Sequence, residues 1–182
     1  DEAATVTALR GARKITDRLI GAHAGRIANT AGDSIIAVFD SAVEAVRTAA
    51  AIQAELAPLN AEFSEDRQIR FRIGVNLGDV ILDGDDVLGD GVNIAARLEG
   101  LAEPGGICIS RNIYDQVSDK LHYRYDYIGE QAVKNIAQPV RAYRILAAGS
   151  AQTEAPDPSS NAAKSKWART AGLVVAAALI LA

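Results

Sequence analysis

The alternation of apolar and polar residues between Ile69 and Val75 constrains the fold of this chain more than any other feature. Apolar side chains occupy every second position, at Ile69, Phe71, Ile73 and Val75. Successive side chains of a β-strand point to opposite faces of the sheet, so this pattern predicts a strand with one apolar face. An apolar sheet face must be buried against another layer, and we therefore expect helices packed on a sheet.

Helical and strand-like periodicities alternate along the rest of the chain. Helices are predicted over residues 2–24 and 41–60, the second opened by a capping box of Ser41 and Glu44. The shorter predicted elements are strands 26–30, 35–39, 80–82, 106–110, 123–128 and 140–145 and helices 92–101 and 112–117. Residues 83–91, with four carboxylates and three glycines, are predicted to form a loop. These elements predict an α+β sheet domain covered on one face.

The end of the chain changes character twice. Residues 148–166 are rich in Ala, Ser and Pro without hydrophobic periodicity, which is typical of a linker. Residues 170–182 carry no charge, and Trp167 and Arg169 precede them as interfacial anchors would. As a helix this run would span about 20 Å, less than the roughly 30 Å hydrocarbon core of a bilayer. It is interpreted as a short buried helix or, preferably, as a truncated transmembrane helix over residues 167–182.

The preferred interpretation also predicts a location. Residues 1–147 would form one domain on the cytoplasmic side of the cell membrane, in a single-pass protein. The start at Asp1 rather than Met, and the end inside an uncharged run, agree with a piece cut from a longer protein.

Composition excludes several functional classes. The 19 Lys and Arg against 23 Asp and Glu give a net charge of −4, which argues against a nucleic-acid partner because phosphate binding needs a positive field. The single cysteine, Cys108, excludes a disulfide framework and is expected in the core. His23 and His122 are isolated and lack the spacing of zinc ligands.

Three places carry more polar residues than packing requires. Asp33 lies in the predicted turn between two strands, and the acidic segment 83–91 does not match the twelve-residue calcium loop. Asn93 and Arg97 lie four residues apart and therefore share one face of a predicted helix. Such a pair can hydrogen-bond an oxyanion or a sugar oxygen while supplying positive charge. Taken singly, each place is more often a turn residue, a solvated loop or a surface pair than a functional site.

Taken together, four segments resemble the catalytic domain of the class III adenylate and guanylate cyclases. They are RIANTAGDSIIAVF (26–39), FRIGVNLGDVI (71–81), VLGDGVNIAARLEGLAEPGGICIS (87–110) and VKNIAQPVRAYRI (133–145). The VN-x-AAR stretch is the most specific, and the likeness is strongest to bacterial, membrane-tethered members. The resemblance implies a ferredoxin-like α+β domain with a mixed, mainly antiparallel sheet.

The resemblance also implies a reaction with metal cofactors. Domains of this family pair head to tail, and their active sites form at the dimer interface. Two divalent cations, Mg²⁺ or Mn²⁺, sit on two aspartates and assist attack of the ribose 3′-hydroxyl on the α-phosphate, releasing pyrophosphate. Asp33 matches the second metal aspartate. The first belongs to a strand before the opening helix, which this chain lacks, so the chain alone is expected to be inactive.

The remaining site residues follow from the same resemblance. Asn93 matches the asparagine that orients the ribose, and Arg97 matches the arginine that neutralises the transition state. Lys134 falls where the family places a lysine on the terminal phosphates, although the local spacing differs by a residue from the animal enzymes. For base selection, Asp86 matches the aspartate of adenylate cyclases, whereas Asn29 replaces their lysine. Neither position resembles the glutamate and cysteine of guanylate cyclases.

The expected function is therefore an adenylate cyclase in intracellular signalling. It would convert ATP to 3′,5′-cyclic AMP and pyrophosphate as a homodimer attached to the membrane by its C-terminal helix. Asn29 leaves two alternatives open. One is a degenerate cyclase-like domain that binds nucleotide or regulates a partner, and the other is a guanylate or less selective cyclase.

Overall fold

The chain alternates helices and strands, as its periodicities predict. The computed structural model describes residues 2–31, 34–61, 63–64, 68–83, 86–133, 136, 138–146 and 175–181. The helices are α1 (Glu2–Ala22), α2 (Ala42–Ala61), α3 (Asp90–Leu101) and α4 (Arg111–Val117). The strands are β1 (Arg26–Ala31), β2 (Ser34–Phe39), β3 (Phe71–Leu77), β4 (Ile81–Asp83), β5 (Asp86–Leu88), β6 (Ile107–Ser110), β7 (Arg124–Gln131), β8 (Val140–Leu146) and β9 (Val175–Leu181). Up to residue 146 every predicted helix and strand is confirmed, with bounds that move by a few residues.

Seven of these strands form one sheet in the order β1-β2-β9-β3-β6-β8-β7. β9 lies between β2 and β3 and is antiparallel to both. β3 and β6 are parallel, whereas the pairs β1–β2, β6–β8 and β7–β8 are antiparallel. β4 and β5 form a separate antiparallel hairpin. The predicted α+β class with a mixed, mainly antiparallel sheet is confirmed.

The main core lies between the sheet and helices α1, α2 and α4. The apolar face predicted around β3 is confirmed, since Ile69, Phe71, Ile73 and Val75 are at most 8% exposed. α2 packs on this face through a buried stripe that includes Val46, Ala49 and Ile52. The backbone N–H of Glu44 donates to the Ser41 hydroxyl over 3.4 Å, which is the Ser41 half of the predicted capping box. The Glu44 carboxylate instead contacts His23 and Arg47. Local sequence and tertiary burial therefore agree on this side of the sheet.

α3 covers the opposite face of the sheet. Leu98 of α3 packs with Cys108 of β6 and Ala142 of β8, whereas Ile109, the neighbour of Cys108, belongs to the main core. Because neighbouring strand residues point to opposite faces, α3 and α2 lie on different sides. The prediction that helices cover only one face is wrong. Small residues such as Gly74 and Cys108 form the second face, and they leave little trace in a hydropathy pattern.

The composition of the acidic segment 83–91 predicted a loop, but part of this segment is a strand. Asp86–Leu88 form β5, which pairs with β4 in the register Ile81 to Leu88. Val87 explains the difference, because it is 4% exposed and packs beneath the β1–β2 hairpin. One buried apolar residue is sufficient to hold a short strand inside an acidic, glycine-rich segment.

The apolar end of the chain differs most from its prediction. Val175–Leu181 form β9, not the helix expected over residues 167–182, and Ala178 pairs with both Ile36 and Gly74. A short, continuous apolar run is consistent with a buried strand as well as with a helix, and periodicity cannot separate the two. In this structure the segment is a strand because the facing edges of β2 and β3 both pair with it. None of the helices in the described ranges is long and apolar enough to span a membrane.

A proline in β9 tests this placement. Every backbone N–H of an internal antiparallel strand donates to one neighbour or the other, so Ala178→Pro removes a ladder hydrogen bond. We expect the free energy of unfolding, measured by urea denaturation, to fall by about 3 kcal/mol. Ala178→Ser, which keeps the N–H, is the control and should cost much less. Equal stabilities for the two variants would contradict the pairing of β9.

Candidate active site

The start of α3 is fixed by an unusual backbone conformation at Gly89. Gly89 has φ of 131°, a region that side-chain-bearing residues rarely adopt, and a Cβ there would lie 3.1 Å from the carbonyl oxygen of Asp79. The N–H groups of Val92 and Asn93 both donate to the Gly89 carbonyl, over 3.2 and 3.4 Å. Glycine at this position therefore determines where α3 begins and where Asn93 lies.

Asn93 and Arg97 lie on the solvent side of α3, one turn apart. Both are exposed, whereas Ala95 and Leu98 between and beside them are at most 1% exposed. The predicted shared face is confirmed. Their amide and guanidinium groups form a patch that can contact a ligand approaching from solvent without rearrangement of the core.

Three predicted site residues come from one corner of the fold. A small apolar cluster joins Ala28 of β1 and Val87 of β5, and the start of α3 packs against it through Val92. Each of these is the sequence neighbour of a candidate: Ala28 precedes Asn29, Asp86 precedes Val87, and Val92 precedes Asn93. The cluster therefore brings the backbones of Asn29, Asp86 and Asn93 together. The side chains of Asn29 and Asp86 lie outside the described part of the structure.

The metal and phosphate predictions fall on other residues. Asp33, between β1 and β2, and Lys134, between β7 and β8, lie outside the described residues. Within the described ranges no group of three or more His, Cys, Asp or Glu side chains could hold a metal ion. The described residues do not supply a ligand set for Mg²⁺ or Mn²⁺, whose site stays a prediction that depends on Asp33.

The buried polar residues beneath α3 were not predicted from the sequence. Asn76 of β3 is 2% exposed and Glu99 of α3 is 4% exposed. A signal was present, because Arg72 and Asn76 alternate with the apolar residues of β3 and must point away from the main core. What the sequence could not show is that a helix covers this side and buries them.

A cavity of about 620 Å³ lies elsewhere, between α2 and the ends of β6 and β8. Its walls are mainly small and apolar, with His23 and Arg47 among the lining residues, and neither Asn93 nor Arg97 reaches it. His23 Nδ1 lies 2.7 Å from a Glu44 carboxylate oxygen, and this hydrogen bond lowers the pKa of Glu44. His23 therefore has a local structural partner, in line with the non-catalytic role predicted for it.

Comparison with known proteins identifies the family. Residues 2–147 match the family described as "Adenylate and Guanylate cyclase catalytic domain". The chain belongs to this family. The "Putative adenylate cyclase 3" of Rhizobium meliloti (strain 1021) is 42% identical over 144 residues, which are 79% of this chain and 24% of that protein. The chain thus spans about a quarter of the length of this curated relative.

Solved structures agree with the cyclase fold. The crystal structure of an adenylate/guanylate cyclase/hydrolase from Silicibacter pomeroyi matches with a TM-score of 0.71 and 37% identity, over 74% of this chain and 80% of that chain. The guanylate cyclase domain of RhGC from Catenaria anguillulae, in complex with GTP, matches with a TM-score of 0.58 and 25% identity, over 81% and 84% of the two chains. Each match covers about three quarters or more of this chain.

The contact between α3 and the sheet can be probed through the single cysteine. Cys108 is fully buried among Leu98, Ala102 and Ala142, and this burial raises the pKa of its thiol to about 12. At pH 8 only about one thiol in ten thousand would then be ionised, and the thiolate is the reactive form. We expect the native protein to react slowly with a disulfide reagent such as DTNB. The control is protein denatured in guanidinium, which should release one equivalent of thionitrobenzoate per chain at once. Equally fast labelling of the native protein would contradict the packing of α3.

Proposed function

We propose that this cyclase domain is an adenylate cyclase, which converts ATP to 3′,5′-cyclic AMP and pyrophosphate. The observation that carries the proposal is the corner at which β1, β5 and α3 meet, because it brings the backbones of Asn29, Asp86 and Asn93 together. Asp86 stands where the resemblance implies the adenine-reading aspartate. The relative from Rhizobium meliloti, named as an adenylate cyclase, supports the same substrate.

The exposed face of α3 has the chemistry that the reaction needs. Attack on the α-phosphate builds negative charge on its oxygens, and a guanidinium stabilises that charge because it stays ionised and offers several donors. Arg97 presents such a group on the solvent side of α3. The Asn93 amide, one turn before it, can hold a ribose oxygen and so orient the 3′-hydroxyl towards phosphorus. Both roles concern groups that this chain itself supplies.

Divalent cations and a second protomer complete the proposal. Asp33 would be one metal ligand, and Mg²⁺ or Mn²⁺ bound there would supply charge stabilisation for the triphosphate. Lys134 would bind its terminal phosphates. Asn93 and Arg97 are exposed in the single chain, so a site that excludes water needs a covering surface. A second copy of the domain, paired as a homodimer, is the proposed cover.

A guanylate or less selective cyclase is the second candidate function. Asn29 favours it, since a neutral amide replaces the lysine that the resemblance associates with adenine. The match to a guanylate cyclase domain in complex with GTP shows that the fold accommodates that nucleotide in a relative.

Attachment to a membrane and a cytoplasmic location stay predictions. Val175–Leu181 cannot pair in the sheet and cross a bilayer at the same time.

Replacement of Arg97 tests the proposed reaction. The assay uses the natural full-length protein with ATP and Mn²⁺, and cyclic AMP is measured. We expect Arg97→Ala to lower kcat by about 100- to 1000-fold, the usual cost of losing one transition-state donor. Arg47→Ala removes an exposed arginine from α2 and should leave kcat unchanged. Cyclic AMP formation by Arg97→Ala at the wild-type rate would refute the assignment.

Replacement of Asn29 tests base selection. A lysine at this position would add a charged donor, and a hydrogen bond to a charged group contributes about 1.5–3 kcal/mol. We expect Asn29→Lys to raise kcat/KM for ATP relative to GTP by roughly 10- to 100-fold. Asn112→Lys, an exposed position on α4, controls for added charge. An unchanged ratio would show that Asn29 does not contact the base, and wild-type preference for GTP would favour the guanylate cyclase.

A further inference from the structure

One face of β3 contacts α3 along the length of the helix. The residues concerned occupy alternate positions, at Arg72, Gly74 and Asn76 in the strand and at Gly78 just after it. At the centre, a Cβ on Gly74 would lie 2.1 Å from the Ala95 carbonyl oxygen and 2.3 Å from the Glu99 nitrogen. No side chain fits there, so strand and helix touch through their backbones.

On either side of this contact, polar side chains connect the two ends of α3 to β3. Near its start, the Asn76 amide donates to the Gly91 carbonyl over 3.1 Å. Near its end, the Glu99 carboxylate pairs with Arg72 at an Nε–Oε1 distance of 3.1 Å. Asn76 is 2% exposed and Glu99 is 4% exposed, whereas the Arg72 side chain keeps 33% of its surface exposed. Water therefore competes little for Asn76 and more for the ion pair. The contact near the start of α3 is a directional hydrogen bond, whereas the one near its end is an ion pair whose facing Nε and Oε1 atoms do not meet hydrogen-bond geometry.

These contacts lie opposite the candidate catalytic pair. Gly91, Ala95 and Glu99 follow one another at intervals of four residues, and they form a buried stripe along α3. Asn93 and Arg97 are each displaced by two residues from that stripe, which is about 200° around a helix with 3.6 residues per turn. A rotation or slide of α3 on β3 would therefore move both exposed side chains directly.

Apolar residues would bury the same area without the cost of desolvating a carboxylate. A buried ion pair often contributes little net stability compared with well-packed hydrophobic residues, but in some proteins it selects one arrangement of the elements that it joins. We propose that Asn76 and the Arg72–Glu99 pair are positioning residues, which set the rotation and axial position of α3 and thereby place Asn93 and Arg97 for catalysis. This inference rests on the proposed function of that pair.

The first test compares two asparagines with similar contacts. Asn76→Ala removes the bond to the Gly91 carbonyl. Asn60→Ala, in α2, removes two bonds to the backbone of Ile69, one donated to its carbonyl and one accepted from its N–H, both over 2.8 Å. Misplacement by about 1 Å can cost 100-fold in rate, so we expect Asn76→Ala to lower kcat by about 10- to 100-fold with little change in the KM for ATP. Asn60→Ala should lower the Tm but leave kcat unchanged. Equal effects of the two variants on kcat would overturn the proposal.

A double-mutant cycle separates positioning from general stability. If Asn76 acts through Asn93, Asn76→Ala should cost little further activity in a protein that already carries Asn93→Ala. Glu99→Gln, which keeps the side-chain size, should behave in the same way when combined with Arg97→Ala. Fully additive losses in both cycles would overturn the positioning role.

Hydrogen exchange of the α3 amides provides a readout that needs no turnover. We expect faster exchange over residues 91–99 in Asn76→Ala and in Glu99→Gln, but not in Asn60→Ala. The wild-type protein could show this exchange pattern in its variants and yet make no cyclic nucleotide. That combination would support the anchoring of α3 and overturn the proposed function alone. Unchanged exchange in both α3 variants would overturn the anchoring. If Asn76→Ala does not fold, Glu99→Gln carries the same comparison.

Discussion

The backbone contact between β3 and α3 at Gly74 is the constraint on which the candidate site depends. It fixes the distance between sheet and helix, because a single methyl group at Gly74 would overlap the Ala95 carbonyl. Asn76 and Glu99 then have a defined geometry on either side of it. The solvent face of α3 takes its position from a buried face that contains no candidate catalytic residue. The proposed catalytic geometry therefore depends on the packing beneath the helix.

Apolar packing also assembles the corner that is proposed to bind the nucleotide base. Ala28, Val38 and Val87 are small, buried side chains that hold the β1–β2 hairpin against β5 and the start of α3. None of them has a group that could read a base. The residues beside them can therefore vary in chemistry while the corner keeps its shape. This separation of scaffold and specificity agrees with a family whose description includes both adenylate and guanylate cyclases.

Local patterns predicted most of the fold up to residue 146, because each of those elements has a period or a cap of its own. The apolar face of β3 and the cap of α2 at Ser41 are examples in which local and tertiary preferences agree. Asn93 and Arg97 were found because a helix places residues four apart on one side. Asn76 and Glu99 were missed, since burial by a distant helix leaves no local signal. β9 was missed for a related reason: the edges of β2 and β3 decide its structure, and a hydropathy pattern does not contain them.

The place of β9 in the sheet has a consequence for the order of folding. β9 joins the β1–β2 hairpin to β3, yet it is synthesised after every other strand of the sheet. Until it arrives, the inner edges of β2 and β3 have no partner from this segment and expose unpaired backbone groups. Pairings between residues so distant in sequence form slowly, and open edges promote association with other chains during that time. While the chain is being synthesised, the β1–β2 hairpin and the β3-β6-β8-β7 part of the sheet would therefore remain separate. They would join only when β9 pairs with both.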